Sequence, residues 1–464
     1  MDDGGSPNDR WLARRQLTAL LMCGVAVIPS VFWVGTQEAF VRPKLWVASA
    51  ILGLGFLVIV VPQNWGEGRW NRVDTAVALF AVLTVASHAA SIDRSQSLWG
   101  EQFHRQGMTT LLLYCGVYAM ARLAIVDRAR LLLLAQAASL GSLPVAFYAV
   151  FQRSGFDPIW DQLPADRAFS SIGQPNSLGA YLAIAIPLSL GLALRGGRLA
   201  GVFASAAMVS GVALLYTESR GGLLGAAVGT AVLVGVLAVS GSWGWRRLAG
   251  GAAAIAVAGV LVVNVVPGAD DSWSRAWERA TADYERDSGS IRNHLDLWTV
   301  ARHIIADNAL LGTGPDTYPL VFGDYRDDVL SPASAGRLRV YRVESAHNIV
   351  LATGTNSGVP AMLLFVGVMG AGVAFTARDG IRRRDDGAAG GSVNAGLAGA
   401  ITGGFVGSLF ITADLTTTWV LWVLVGASVA AHAHGRDGGY PRSASASDGN
   451  AMSVESIESH ATNS

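Results

Sequence analysis

The chain has 464 residues, of which 51% are hydrophobic and 15% charged, with 34 basic side chains balanced by 34 acidic ones. It is too apolar for an ordinary soluble protein of its length, and without a basic stripe it offers no footing for a nucleic-acid partner. The two cysteines, Cys23 and Cys115, both fall inside apolar runs and read as packing residues, with neither a disulfide framework nor metal-ligand spacing.

A membrane-spanning helix needs roughly 20 apolar residues, because the hydrocarbon core is about 30 Å thick and each residue rises about 1.5 Å. In chain order the pattern recurs twelve times, at 17–34, 44–62, 73–90, 106–126, 129–152, 177–194, 199–216, 221–240, 248–266, 348–376, 394–413 and 416–433. The first run follows Arg10, Arg14 and Arg15 as a signal peptide would, but it has no small-residue cleavage site and is read as an uncleaved helix. The expected fold class is therefore an all-α integral membrane protein of about twelve transmembrane helices. Its divisions are a cytoplasmic N-terminus (1–16), helices one to nine (17–266), a large external loop (267–346), helices ten to twelve (347–433) and a disordered cytoplasmic tail (434–464).

Lys and Arg collect on the cytoplasmic side of short loops. With the N-terminus inside, eighteen fall on the cytoplasmic side against seven in the short outer loops, so both termini are expected in the cytoplasm. Within the external loop, Ile291, Leu295, Leu297, Trp298, Ala301, Ile304 and Ile305 recur at helical spacing and predict an amphipathic helix, which "NALLGTGPDTYP" then breaks. Trp33, Trp46, Trp99, Trp298, Trp419 and Trp422 read as anchors at the membrane interface. No internal repeat is visible.

This topology puts an unusual polar set on the outer face. It comprises Arg105 before the fourth segment, Gln174 and Asn176 at the sixth, Glu218 and Arg220 between the seventh and eighth, Arg292 on the loop helix, and His347 with Asn348 before the tenth. An Arg at membrane depth calls for an anionic partner, and its planar fork suits phosphate oxygens. The glycines at 221 and 222 allow a ligand or a neighbouring helix to approach closely, and His347 is a candidate base. Plainer readings stand beside these. Arg220 pairs with Glu218 or snorkels to headgroups, Arg292 is a solvated charge, and His347 is a helix-end residue satisfied by backbone. Gln174, Asn176, Asn348 and Asp414 are helix caps.

Together these stretches resemble the family of O-antigen ligases and O-antigen polymerases, bacterial membrane glycosyltransferases of the GT-C superfamily. "YTESRGGLLGAAVG" is similar to the family's Ser-Arg-Gly segment opening a helix, and "SAHNIVLATGTNSGVPAMLLFVGV" to its His-Asn segment followed by a glycine-containing break. "RNHLDLWTVARHIIADNALLGTGPDTYP" resembles the Arg…Trp…Leu-Leu-Gly-x-Gly part of the external loop. "GQPNSLGAYLAIAIPLSLGL" and "LWGEQFHRQGMTTLLLYCGVYAM" extend the likeness over most of 30–430.

The resemblance implies transfer of a glycan from an undecaprenyl diphosphate carrier to an acceptor hydroxyl at the outer face of the bacterial inner membrane, in the biosynthesis of lipopolysaccharide or another envelope polysaccharide. The acceptor would be a glycolipid or glycan. A ligase is preferred to a polymerase or a protein O-oligosaccharyltransferase of the same family. His347 would be the base, with Arg220 and Arg292 on the diphosphate. Arg105, Asn176, Glu218, Arg339, Arg342 and Asn348 are weaker substrate-binding candidates. With arginines supplying the positive charge, no cofactor or metal is expected, and inversion at the anomeric carbon follows from attack opposite the departing diphosphate. The rival class is a solute transporter, which would place its ionisable residues near the bilayer midplane on broken helices rather than at one face.

Overall fold

The structure, a computed structural model, describes residues 7–60, 70–157, 159, 167–241, 274–275, 290–340, 343–382 and 388–436. The helices described up to Ser240 are α1 (Pro7–Val27), α2 (Arg42–Val60), α3 (Arg72–Ala89), α4 (Arg94–Trp99), α5 (Met108–Ala124), α6 (Arg128–Arg153), α7 (Pro175–Leu194), α8 (Ala200–Thr217) and α9 (Arg220–Ser240). Residues 290–340 hold α10 (Ser290–Asp307), α11 (Tyr318–Val329) and α12 (Pro332–Arg339), and α13 (Ile349–Arg382), α14 (Ala388–Gly407) and α15 (Leu415–Arg436) return to the bundle.

Among the described residues there is no strand, and ten helices are long and apolar enough to cross a membrane; α5 is a shorter apolar helix beside them. The protein is an all-α membrane protein. Eleven of the twelve expected spans coincide with helices, and the ninth, 248–266, lies outside the described residues, as do most of the C-terminal tail and part of the external loop.

The bundle is organised by how closely its helices approach. α14 lies between α7 and α9, with Gly396 against Gly191, and Gly399 and Gly403 against Gly229 and Gly225. In lipid there is little hydrophobic force between helices, so close backbone packing through small residues holds them together. α15 is the central helix, buried over its whole apolar window. Trp419 and Trp422 are 0% and 1% exposed, and Trp422 packs against Phe80, Tyr118 and Phe365. These two are core residues, contrary to the reading of them as interface anchors. They sit on a helix that never meets lipid, whereas Trp33, Trp46 and Trp99 are exposed.

α13 contains the feature that positions the site. Its helix breaks at Gly358, which has φ 82° and ψ 173°. A backbone break at this depth needs partners for the amides and carbonyls it frees. They come from the segment after α10: Val359 N–H donates to Ala309 C=O at 2.7 Å, while Thr313 and Gly314 N–H donate to Thr355 and Asn356 C=O at 2.9 and 3.1 Å. Ser87 Oγ on α3 also donates to the Asn356 carbonyl, at 2.6 Å. The break thus clamps the segment that follows α10 onto α13.

The amphipathic helix predicted around 291–305 is α10. Its Leu297, Val300, Ala301 and Ile304 form a separate small core with Tyr318, Phe322, Leu338 and Ala346, distinct from the bundle's own core. That core fixes α10 over one end of the bundle.

Candidate functional site

α8 and α9 are separated by Glu218 and Ser219 alone. Glu218 ends α8 in the left-handed region (φ 48°), and Ser219 caps α9 by accepting from Gly222 N–H at 3.1 Å. A side chain at Gly222 would come within 2.7 Å of the Gly179 backbone of α7, so α9 starts pressed against α7 and Arg220 projects from a fixed first turn. The Glu218 carboxylate is buried and accepts from Arg275 Nε at 2.6 Å.

Arg220 lines a cavity of about 750 Å³ with Arg167, Asn176, Glu218, His294 and Trp298 among its neighbours. Arg167 spans two helices: Nε donates to Thr217 C=O at 2.7 Å and Nη2 to Asn176 Oδ1 at 2.6 Å. Asn176 therefore serves the cavity, and the cap of α7 is Gln174, whose Oε1 accepts from Ser177 N–H at 2.9 Å. From α10, Ile291, His294, Leu295 and Trp298 face the cavity, and Phe410 packs on Trp298. Arg292 lies one position from Ile291, about a quarter-turn off that stripe.

His347 stands next to His294, their rings nearly perpendicular with centroids 5.6 Å apart. It too is left-handed (φ 48°), held by Ser345 Oγ, which accepts from His347 N–H at 3.0 Å. Thr412 Oγ1 lies 3.2 Å from His347 Nδ1 and 2.8 Å from Ser345 Oγ, so α13's lead-in and the lead-in to α15 orient the ring together. Burial, with His294 and His104 nearby, pushes His347 down to about 4, and His294 is lowered by burial and by Arg220. Both imidazoles are thus neutral near pH 7. Asn348 caps α13, its Oδ1 accepting from Val350 and Leu351 N–H at 3.0 and 3.1 Å. Asp414 caps α15 through Thr417 N–H at 3.0 Å.

A second polar cluster adjoins the histidine. His104 Nδ1 lies 3.3 Å from Glu344 and 3.7 Å from Glu101. Buried Asp316 accepts from Glu101 and Gln106 N–H at 2.6 and 3.1 Å. Burial alone would lower His104, but the carboxylates of Glu101, Glu344 and Asp316 outweigh it and raise it; Asp316 is raised by burial to about 6. Among the described residues, Glu101, His104 and Glu344 are a group whose donor atoms, within 4.8 Å of one another, have the spacing of a cation site. The pairing of imidazole with carboxylates accounts for the group without one.

The remaining candidates fall elsewhere. Arg105 grips Glu38 with two hydrogen bonds of 3.0 and 2.6 Å and borders a separate cavity. Arg339 makes an exposed pair with Asp327 at 2.9 Å, and Arg342 lies outside the described residues. Arg167 and His294 carried no sequence signal as site residues. One stands in an irregular loop, and the other is a lone histidine on an amphipathic helix.

The fold and this cavity define a multi-pass membrane protein with guanidinium and imidazole groups gathered at one end of its helices. Residues 203–366 match the family model described as O-antigen ligase, a stretch running from α8 through the break in α13 and holding Arg220, His294 and His347. That match, over part of the chain, supports a likeness to the O-antigen ligase and polymerase family of bacterial membrane enzymes. No curated protein matches the chain.

Proposed function

We propose that the protein is an O-antigen ligase-like glycosyltransferase that moves a glycan from undecaprenyl diphosphate to an acceptor hydroxyl at the outer face of the inner membrane, with both termini cytoplasmic. The observation that carries this reading is the cavity holding Arg220 and Arg167 beside the His294–His347 pair. The departing group is a diphosphate whose growing charge needs fixed positive partners, and charge-assisted hydrogen bonds in a partly dehydrated cavity provide them. Arg220 is the principal partner and Arg167 the second; Arg292, which does not line the cavity, is a weaker candidate on the flank of α10.

His347 takes the acceptor hydroxyl's proton. In the tautomer that has Nδ1–H donating to Thr412, the Nε2 lone pair is left to accept, and the proton moves from the hydroxyl to Nε2 as the oxygen attacks the anomeric carbon. The C–O bond to the diphosphate breaks on the opposite face, which inverts the configuration. The guanidinium groups neutralise the leaving group, so the reaction is expected to proceed with chelator present.

The test uses purified protein in liposomes with an undecaprenyl diphosphate-linked oligosaccharide and envelope acceptors. Wild type should release undecaprenyl diphosphate only with acceptor, and His347→Ala and Arg220→Ala should not. Undiminished release by both variants would remove the site assignment. Solute uptake without any release would favour the transporter.

A further inference from the structure

The proposed transfer leaves a second cavity unused. It measures about 490 Å³ and lies beside α4 and the start of α11, bounded by Trp99, Asp93, Gln96, Glu101, Gln102 and Arg105. Trp99 is 57% exposed at its edge. The walls are held in place from behind. Asp93 Oδ1 caps α4 through Gln96 N–H at 2.9 Å, Gln96 Nε2 donates to Asp316 C=O at 2.8 Å, and Thr109 Oγ1 donates to Leu98 C=O at 2.9 Å.

The chemistry of these walls selects among ligands. An anion is disfavoured by Asp93 and Glu101, and the bordering cation, Arg105, is committed to Glu38 by a bidentate pair. A neutral, many-hydroxyl ring fits. Its C–H face lies on the indole, while carboxylates and amides accept from and donate to its hydroxyls. Glu101 links the cavity to the reaction centre: its carboxylate lies 3.7 Å from His104, which lies 3.3 Å from Glu344, three residues before His347.

We propose that the cavity at Trp99 is a saccharide subsite that holds a sugar of the acceptor glycan. The assignment to the acceptor rests on the transferase reading; the saccharide chemistry does not.

The experiment uses the full chain in nanodiscs, with oligosaccharides of two to six sugars released by mild acid from the source bacterium's envelope polysaccharide. Saturation-transfer NMR should show ring protons contacting wild type, with the signal lost in Trp99→Ala, reduced in Gln102→Ala and largely kept in Trp99→Phe. In the transfer assay, Trp99→Ala should raise the acceptor KM about tenfold while kcat and the donor KM stay put. A rise in the donor KM instead would keep the subsite and give it to the donor's glycan. Saccharide binding and both KM values unchanged in Trp99→Ala, with an unchanged melting temperature, would overturn the proposal. Trp99-dependent binding without transfer to any acceptor would sink the transferase reading and leave the subsite standing.

Discussion

A base is useful only while it is unprotonated, and His347 is set for that. With its pKa pushed down to about 4 by burial, its activity is held above that value and is lost as pH falls through it. The acidic limb of kcat/KM should therefore lie below pH 5, well under the ordinary histidine value of about 6.5; a limb near 6.5 that disappears with His347 would show an ordinary, solvated imidazole. Thr412→Val removes the partner of Nδ1 and leaves the ring less firmly oriented. It should lower kcat about tenfold with little change in KM, since a misplaced base costs less than a missing one. Arg220→Ala should cost about 10²–10³ in kcat, the range for removing one preorganised donor to developing charge. Arg220→Lys should recover only part of that loss, because an ammonium lacks the fork.

Among the elements, α13 and α10 form a single device. The break at Gly358 frees backbone groups that residues 309–314 satisfy, so the segment that follows the helix carrying His294 is tied to the helix that His347 leads into. An added Cβ at Gly358 would meet the Leu310 carbonyl oxygen at 2.3 Å, and its φ of 82° is one that alanine resists. Gly358→Ala should destabilise the protein by about 1–3 kcal/mol, read as a lower melting temperature in detergent, and should lower kcat as well because the two histidines separate. A variant with unchanged melting and turnover would show that the clamp does not hold the site.

At the scale of the whole molecule, the charge bias of the loops predicts which end faces which compartment. In a background lacking both native thiols, Gly336→Cys should react with an impermeant maleimide applied to intact spheroplasts, and Arg382→Cys should react only after lysis. Both positions are exposed in the fold. The reverse pattern would put the diphosphate cavity in the cytoplasm and remove the proposed carrier from reach.

The spans were legible in the sequence because hydrocarbon imposes its thickness on every run of apolar residues, and α10 because a helix lying on a bundle must repeat its apolar positions every three or four residues. The Ser-Arg-Gly-Gly turn and the His-Asn stretch before a glycine break were legible for a similar reason: a tight turn and a broken helix each demand particular residues locally. Partnership was not legible. Arg167 looks like any loop arginine until α7 and α8 bring it to Asn176, and His294 becomes a site residue only when α10 is laid beside His347. Trp419 and Trp422 have the composition of interface anchors and become core only because other helices surround α15. Composition and periodicity fix what each segment must be in a bilayer, since those demands act within a few turns of one helix. Which charges meet, and which aromatic rings lose sight of lipid, depends on contacts between residues far apart in the chain, and only the packed bundle decides them.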